Sequence, residues 1–432
     1  MSAGQSATEP YSPVELGTGD RPVPVLVLRR SVGDLQHCVL GVARTLGRLG
    51  VPVYAMRKSR TEPATRSRYI TGILDLSTGG PEEDWVDQLM RLDPELSGGI
   101  LLPLDDISAV AVGEHQEALS SRFRFPLQPQ GLRRRLASKA ALATICEELG
   151  VPTPETTLIA SYEEAHSFTE RFGYPVVLKR AETWGGIIDP EAPSVLVVNG
   201  PSELRQAYER MRVQCGVPNV LAQEYIPGDS DSVWMFNGYF DSESRCLAAF
   251  TGQKLRQCAN GAGQTALGVC VDNQTVTDLA IRLMQGVRYR GIADMGFRFD
   301  ARDGAYKLLD VNPRVGSTFR LFSAPDGADV VRAMYLDLTG SQVPRAAAVP
   351  GRTWLDEPHD VAAALRLVRA RKLSLRAWAR SVGRVDESAW WAKDDPVPFL
   401  AMAASLPGPV FAQLSANRRA RSAEIASSAP GE

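Results

Sequence analysis

The sequence predicts a mixed α/β and α+β protein: a parallel-sheet, Rossmann-like N-terminal domain, a strand-rich α+β region, and a helical C-terminal extension. Three observations carry this. Two short apolar runs, VPVLVL and VPVYAM, flank the helical stretch DLQHCVLGVARTLGRLG, the pattern of a βαβ unit and hence of a parallel sheet. From Ser138 onward helices and strands alternate at short spacing, and residues 232–312 are mostly strands. Beyond about residue 350 the chain turns helical and basic.

Taken in order, residues 1–20 read as a disordered lead-in, with neither the basic start nor the apolar stretch of a signal peptide. Residues 21–134 form the doubly wound domain, ending with the strand-then-polar-loop segment GGILLPLDD at 98–106. Its first turn, RRSVGD, is not G-x-G-x-x-G, so the dinucleotide fingerprint is missing. The helix SKAALATICEELG starts at a Ser138 cap and stops at Gly150. There follow VPTPETTLI, the helix SYEEAHSFTERFG, the strands YPVVLKR and SVLVVNG, the helix PSELRQAYERMR and the strand NVLAQEYIPG. The strand-rich block comes next, interrupted by the helix TVTDLAIRLMQGVRY. Residues 135–345 make one unit with a central part at about 150–226, residues 346–412 the helical extension, and 413–432 a disordered tail.

Composition excludes several function classes. With 48 basic and 50 acidic residues the net charge is −2, so no global field draws the chain to nucleic acid or a membrane surface. No apolar run reaches the ~18–20 residues that span a bilayer. The six cysteines have no CxxC pair and the four histidines share no ligand spacing, which argues for reduced thiols, against zinc, and for a cytoplasmic protein.

The stretch YKLLDVNPRVGS holds the densest chemistry. In a strand, Asp310 and Asn312 share one face, with Leu309 and Val311 turned to the core behind. A half-buried Asp310 needs a positive partner, which could be Arg314 or a Mg²⁺ ion held by carboxylate and amide oxygens. The preceding strand, GIADMGFRFD, brings Asp294 across from Asp310 if the two pair as a hairpin, and two facing acids favour the cation. Lys179 ends an apolar strand, and Lys139 opens a helix at the end that disfavours its charge; together they suit phosphate binding. Lys254 and Arg256, two apart before the glycine-rich CANGAG, suit a loop that closes over an anion. GAGQTALG mimics a dinucleotide fingerprint without its strand–turn–helix context. The arginines of 361–384 alternate with apolar residues, the pattern of a solvated helix face that buttresses a core or forms a homodimer contact rather than binding specific nucleic acid.

Lys139 at the head of a helix, YPVVLK with Lys179, QEYIPGDSD and KLLDVNPR, in this order, resemble the ATP-grasp superfamily. Within it the chain looks like the carboxylate–amine ligase branch, D-aspartate ligase-like, over roughly residues 22–400; GVARTLGRLGVPVYAM and DDPVPFL resemble it too. The resemblance implies a pre-ATP-grasp domain, a two-subdomain ATP-grasp fold, and the cofactors ATP and Mg²⁺, one or two ions, with Mn²⁺ an acceptable substitute. By it Lys139 and Lys179 bind phosphates, and Gln223, Glu224 and Ile226 line the adenine and ribose pocket with Asp231 toward the ribose. Asp310, Asn312 and Asp294 hold the metal, while Arg314, Lys254 and Arg256 steady the transferred phosphoryl group. Two departures stand out. The family's acid before the Phe of the penultimate strand is Gly296 here, and Asp310 stands where Glu is commoner. The implied reaction joins a small carboxylate to an amine through an acyl phosphate; the alternative is a phosphotransferase or a degenerate nucleotide-binding regulator.

Overall fold

The computed structural model describes residues 21–405 of the 432-residue chain apart from 31–35, 58, 60, 78–80, 183–194, 216–218, 259–262 and 346–347. The lead-in 1–20, the tail 413–432 and positions 259–262 of the glycine-rich loop lie outside these residues.

The N-terminal βαβ reading holds. Strands β1 (Val25–Leu28), β2 (Val53–Met56), β3 (Gly72–Leu74) and β4 (Ile100–Pro103) form a sheet in the order β3-β2-β1-β4, every pair parallel. Helices α1 (Gln36–Gly47), α2 (Glu82–Met90), α3 (Asp106–Glu114) and α4 (Gln116–Ser120) make the crossovers and the run that follows. Strand order reverses between β1 and β4, so a crevice opens beyond their C-terminal ends, where Asp105 and Asp106 begin α3. The next helices, α5 (Leu132–Ala137) and α6 (Lys139–Leu149), meet at Ser138, whose hydroxyl accepts from the Ala141 N–H; Gly150 ends α6 at φ 63°.

A second sheet is antiparallel, order β5-β8-β6-β7, from β5 (Thr156–Ile159), β6 (Val176–Arg180), β7 (Val195–Val198) and β8 (Val220–Glu224), with α7 (Tyr162–Phe172) and α8 (Pro201–Cys215) on one face. Its core, including Phe168, Leu178, Tyr208 and Met211, is a separate apolar cluster.

The third sheet has seven strands, order β13-β12-β9-β10-β11-β14-β15. It comprises β9 (Val233–Phe240), β10 (Cys246–Gln257), β11 (Thr265–Cys270), β12 (Gly291–Asp300), β13 (Ala305–Asn312), β14 (Thr353–Leu355) and β15 (Glu387–Ser388). Helix α9 (Gln274–Gly286) buries Val276, Leu279, Ala280, Leu283 and Met284, one stripe at helical spacing, in the cluster that holds Phe236 and Phe297. Every residue of β9 is buried because both faces are covered, which is why it reads as an apolar run interrupted by the amide of Asn237. The opposite face joins Met235, Tyr239 and Phe250 to α1, β1 and α10 (Val330–Leu338) in one core.

The extension beyond 346 differs from the all-helical expectation. It contributes β14 and β15 to the sheet edge, too short for periodicity to register, along with α11 (Glu357–Arg369), α12 (Leu375–Val382) and α13 (Val397–Ser405). The single basic helix expected at 361–384 is two, broken where Arg371 takes φ 57°. Its arginines are partly structural: Arg366 donates to the carbonyls of Gln257 (2.8 Å) and Cys258, tying α11 to the end of β10.

Candidate active site

A cavity of about 450 Å³ opens between the second and third sheets, with Asp106 of α3 and Lys139 of α6 at its margin. One part is apolar, lined by Val177, Val195, Val197, Met235, Met295 and Leu309. The other gathers charges of both signs. Apolar walls beside a few convergent polar groups suit a ligand with a flat ring and an anionic tail.

The acidic wall is the β12–β13 hairpin. Its strands are antiparallel neighbours as expected, but the register corrects the pairing: Asp294 lies opposite Asn312, and Asp310 lies opposite Gly296. The four positions share the cavity face. Leu309 corrects the expected alternation too. The pairing slips between Gly296/Asp310 and Phe297/Leu308, a bulge that turns Leu309 to the cavity and leaves Leu308 and Val311 in the core.

Asp294 is clamped. Its Oδ1 accepts from Asn237 Nδ2 at 2.8 Å and its Oδ2 from Asn312 Nδ2 at 3.0 Å. Burial pushes its carboxyl up to about 6, against the pull of Arg314 and with a further push from Asp310. Asp310 makes no hydrogen bond or ion pair with any described side chain, so its carboxylate faces the cavity open. Room for both acids comes from two glycines. A Cβ at Gly296 would stand 2.3 Å from Asp310 Oδ1, and one at Gly316 2.4 Å from Asp294 Cγ. The short Asp310 arm folds over the bare backbone of Gly296.

The cations converge from separate elements. Lys179, on β6, is buried; desolvation pulls its ammonium down to about 8, partly offset by Asp310 and aggravated by Lys139. Lys139 is presented by the Ser138-capped start of α6 and lines the same cavity. Lys254, on β10, donates to the Gly263 carbonyl at 3.0 Å; burial lowers its pKa, while Asp310 and Asp294 act in the other direction. Arg314 is fixed by three partners: Asp106 Oδ1 at 2.7 Å, the Val315 carbonyl at 3.1 Å and Asn312 Oδ1 at 3.0 Å.

Gln223, Glu224 and Ile226 also line the cavity, at the end of β8 and just past it. The Gln223 amide reaches across the strand pair to Thr156 Oγ1 at 2.9 Å, and Glu224 pairs with Arg302 at 2.7 Å.

Two expected residues are elsewhere. Arg256 does not share the face of Lys254, because β10 bulges between them; its guanidinium binds Asp360 Oδ1 at 2.5 Å and Ser381 Oγ at 2.9 Å on the far side. Asp231 is exposed in a short 3₁₀ turn, and its contact is a backbone carbonyl taking Gln253 Nε2 at 2.9 Å. Arg320 and Phe322 belong to the core and not to the cavity: Phe322 is fully buried, and Arg320 pairs with Asp329 at 2.8 Å and Glu387 at 2.7 Å.

Sequence reading missed Asp106, Asn237, Arg180 and Arg298 as parts or supports of the site. Asp106 had a signal, since LLPLDD places it past the C-terminal end of a parallel strand. Asn237, a lone amide amid an apolar run, gave none until its neighbour strand was known.

The donors fit a hard divalent cation. Asp294 and Asp310 supply carboxylate oxygens to the cavity wall, and the Asp310 carboxylate is open. Among the described residues no group of three or more His, Cys, Asp or Glu is poised to hold a metal, so the protein offers two acids and amides and leaves other positions to water or ligand.

Comparisons with known proteins agree with this architecture. No family model matches the chain. The D-aspartate ligase of Enterococcus faecium (strain Aus0004) is 22% identical over 306 residues, 68% of this chain and 72% of that protein. Among solved structures, an L-amino acid ligase from Bacillus licheniformis superposes with TM-score 0.57 at 16% identity, over 78% of this chain and 79% of the other. The biotin carboxylase domain of a Hydrogenobacter thermophilus 2-oxoglutarate carboxylase, solved with MgADP, ADP and bicarbonate, gives TM-score 0.56 at 17% identity, over 78% and 74%. A parallel-sheet domain followed by two sheets that enclose a lysine- and carboxylate-lined cavity is the fold this chain shares with those solved structures.

Proposed function

We propose that the protein is an ATP-dependent ligase that joins a small carboxylate, an amino acid or related acid, to an amine, releasing ADP and phosphate. One observation carries the reading: lysines from three elements and a rigidly held arginine face two carboxylates, one of them open, across a single cavity.

In this reading the apolar walls take the adenine, and the main chain and Glu224 at the end of β8 take its edge and the ribose. Lys139 and Lys179 hold phosphates, with Lys254 beside them. Asp310, Asp294 and Asn312 hold Mg²⁺, which when bound draws charge from the phosphate oxygens. Arg314 cannot swing away, because Asp106 and Asn312 fix both ends of its guanidinium; it presents preorganised positive charge to the acceptor carboxylate and the transferring phosphoryl group. A free carboxylate is a poor acylating agent, and phosphorylation gives it a leaving group. The amine nitrogen then attacks the acyl carbon, the C–N bond forms, and phosphate departs. No side-chain nucleophile is required. Among the described residues no helix is long and apolar enough to cross a membrane, and the cytoplasm, where ATP is abundant, is the proposed site of action.

The test is ADP release by the purified protein with Mg-ATP and pools of amino acids and small acids, with products weighed. ADP release that requires both a carboxylate and an amine, with a product one water lighter than their sum, is expected. ADP release with one acceptor alone would instead favour a phosphotransferase, and failure to bind Mg-ATP would overturn the reading.

A further inference from the structure

The cavity wall formed by β10 and β11 carries polar side chains that nucleotide and metal binding leave unused. Gln257 and Thr265 stand directly opposite each other in the antiparallel pairing of these strands, so their side chains are neighbours on one face. The bulge that turns Arg256 away restores the cavity face at Gln257, and both residues line the cavity together with Lys254 and Gln264. Gln257 is 5% exposed and Thr265 4%. Neither is satisfied. The Gln257 Nε2 is buried without a hydrogen-bond partner, and no described residue bonds its Oε1. The Thr265 hydroxyl donates only to the Met235 sulfur, at 3.4 Å, and a thioether is a weak acceptor. A buried amide end left unpaired destabilises a fold, and a leucine would fill the same space without that penalty. The amide makes sense as half of a hydrogen bond that a ligand completes.

We propose that Gln257 and Thr265 determine which acid the protein accepts, selecting a carboxylic acid that carries an uncharged hydrogen-bonding group, a hydroxyl or a carboxamide, away from the reacting carboxylate. The inference rests on the ligase reading, which puts nucleotide and acid in this cavity together. The wall adjoins the reacting end: the Lys254 ammonium donates to the carbonyl of Gly263, two residues before Thr265, at 3.0 Å. An acid whose carboxylate meets Lys254 and Arg314 turns its far end toward Gln257 and Thr265. The amide serves either kind of group, because half a turn about its terminal torsion exchanges donor for acceptor. The Thr265 hydroxyl accepts through its lone pairs, or gives up the weak bond to sulfur and donates. Charge is not what the wall recognises. Arg256 is taken by Asp360, and Arg366 by the carbonyls of Gln257 and Cys258. Apart from Lys254, at the reacting end, the described residues of β10 and β11 turn no charge to the cavity, so a second charge on the acid would lose its hydration without a partner. An apolar far end would leave both polar groups unpaired.

The test is calorimetric binding of matched amino acids to the full chain with Mg-ADP present: threonine against valine and glutamine against methionine, in both enantiomers. In at least one pair the hydrogen-bonding member should bind about tenfold tighter or more. Gln257→Leu or Thr265→Val, or both, should bring that pair to within about threefold, by weakening the polar member. Gln257→Leu, which removes an unpaired amide, should melt no lower than wild type. The wild-type comparison needs no variant, so a misfolded one leaves the test intact. Binding is read without turnover, so an acid that shows the preference yet supports no ADP release counts for this proposal and against the ligase. Equal or tighter binding of the apolar members, a preference that survives both substitutions, or no binding by any member would overturn the proposal.

Discussion

Gly296 has no side chain because the Asp310 carboxylate stands where one would be, 2.3 Å from the position of a Cβ. The two residues act as a unit, and the glycine that looks like a lost acid makes room for a short one on the neighbouring strand. Alanine at 296 meets only the tip of a small side chain, so the hairpin should survive while the carboxylate is displaced. Gly296→Ala should therefore melt close to wild type yet lose about a hundredfold in turnover, as ~1 Å misplacements do. Asp310→Ala, which removes the open carboxylate, should lose about 10²–10³-fold in kcat and weaken Mg-ADP binding measured by calorimetry. Lys179 sets a pH limit. Its folded pKa is lowered from 10.5 to about 8, so its positive charge is present below about pH 8 and lost above it. ADP affinity should fall as pH rises through 8, while the ligand-free protein gains stability from pH 8 to 10, where the folded state binds fewer protons than the unfolded. Lys179→Arg, which stays charged, should flatten the affinity profile.

At the scale of elements, two bulges decide which side chains meet the ligand. The slip in β13 brings Leu309 to the cavity and keeps Leu308 and Val311 in the core. The slip in β10 leaves Lys254 on the cavity side and sends Arg256 to Asp360 on α11, with side chains only 7% and 1% exposed. Breaking a buried pair by removing one partner leaves a stranded charge and costs about 3–5 kcal/mol. Arg256→Ala should show that loss in urea denaturation, with unchanged ADP affinity for the fraction still folded. A large affinity loss without destabilisation would return Arg256 to the phosphates.

At the scale of the molecule, the first and third sheets are one body. A single core runs from Val25 and Leu40 through Tyr239 and Phe319 to Trp354 and Trp390. Buried polar groups cross the same boundary: Arg44 of α1 binds Asp395 Oδ2 at 3.1 Å, and Thr45 binds Asp329 Oδ2 at 2.9 Å. Asp106 and Arg314 are joined across this seam, so their geometry depends on the whole assembly. The second sheet has its own core and supplies Lys179 and the β8 edge to the cavity. A ligand bound between the sheets stabilises both. At a hundred times its dissociation constant, Mg-ADP should raise the unfolding free energy by about 2.7 kcal/mol, visible as a shift in melting temperature. The Asp310→Ala protein should show much less.

The sequence by itself determined the layers, the Ser138 and Gly150 helix ends, and the ordered lysines and carboxylates, because these follow from local periodicity, capping chemistry and residue type. It also placed Asp310, Asn312, Lys139, Lys179 and Arg314 in one reading, since the strand and helix ends that carry them are locally encoded. Only the tertiary structure decided that Asp310 faces Gly296 and not Asp294, that Arg256 is structural, and that Asp106 holds Arg314. Those outcomes turn on register, on single-residue bulges and on contacts between residues as far apart as 106 and 314. A one-residue slip reverses the face of every side chain beyond it, and the free energy that selects the slip comes from neighbours distant in the chain.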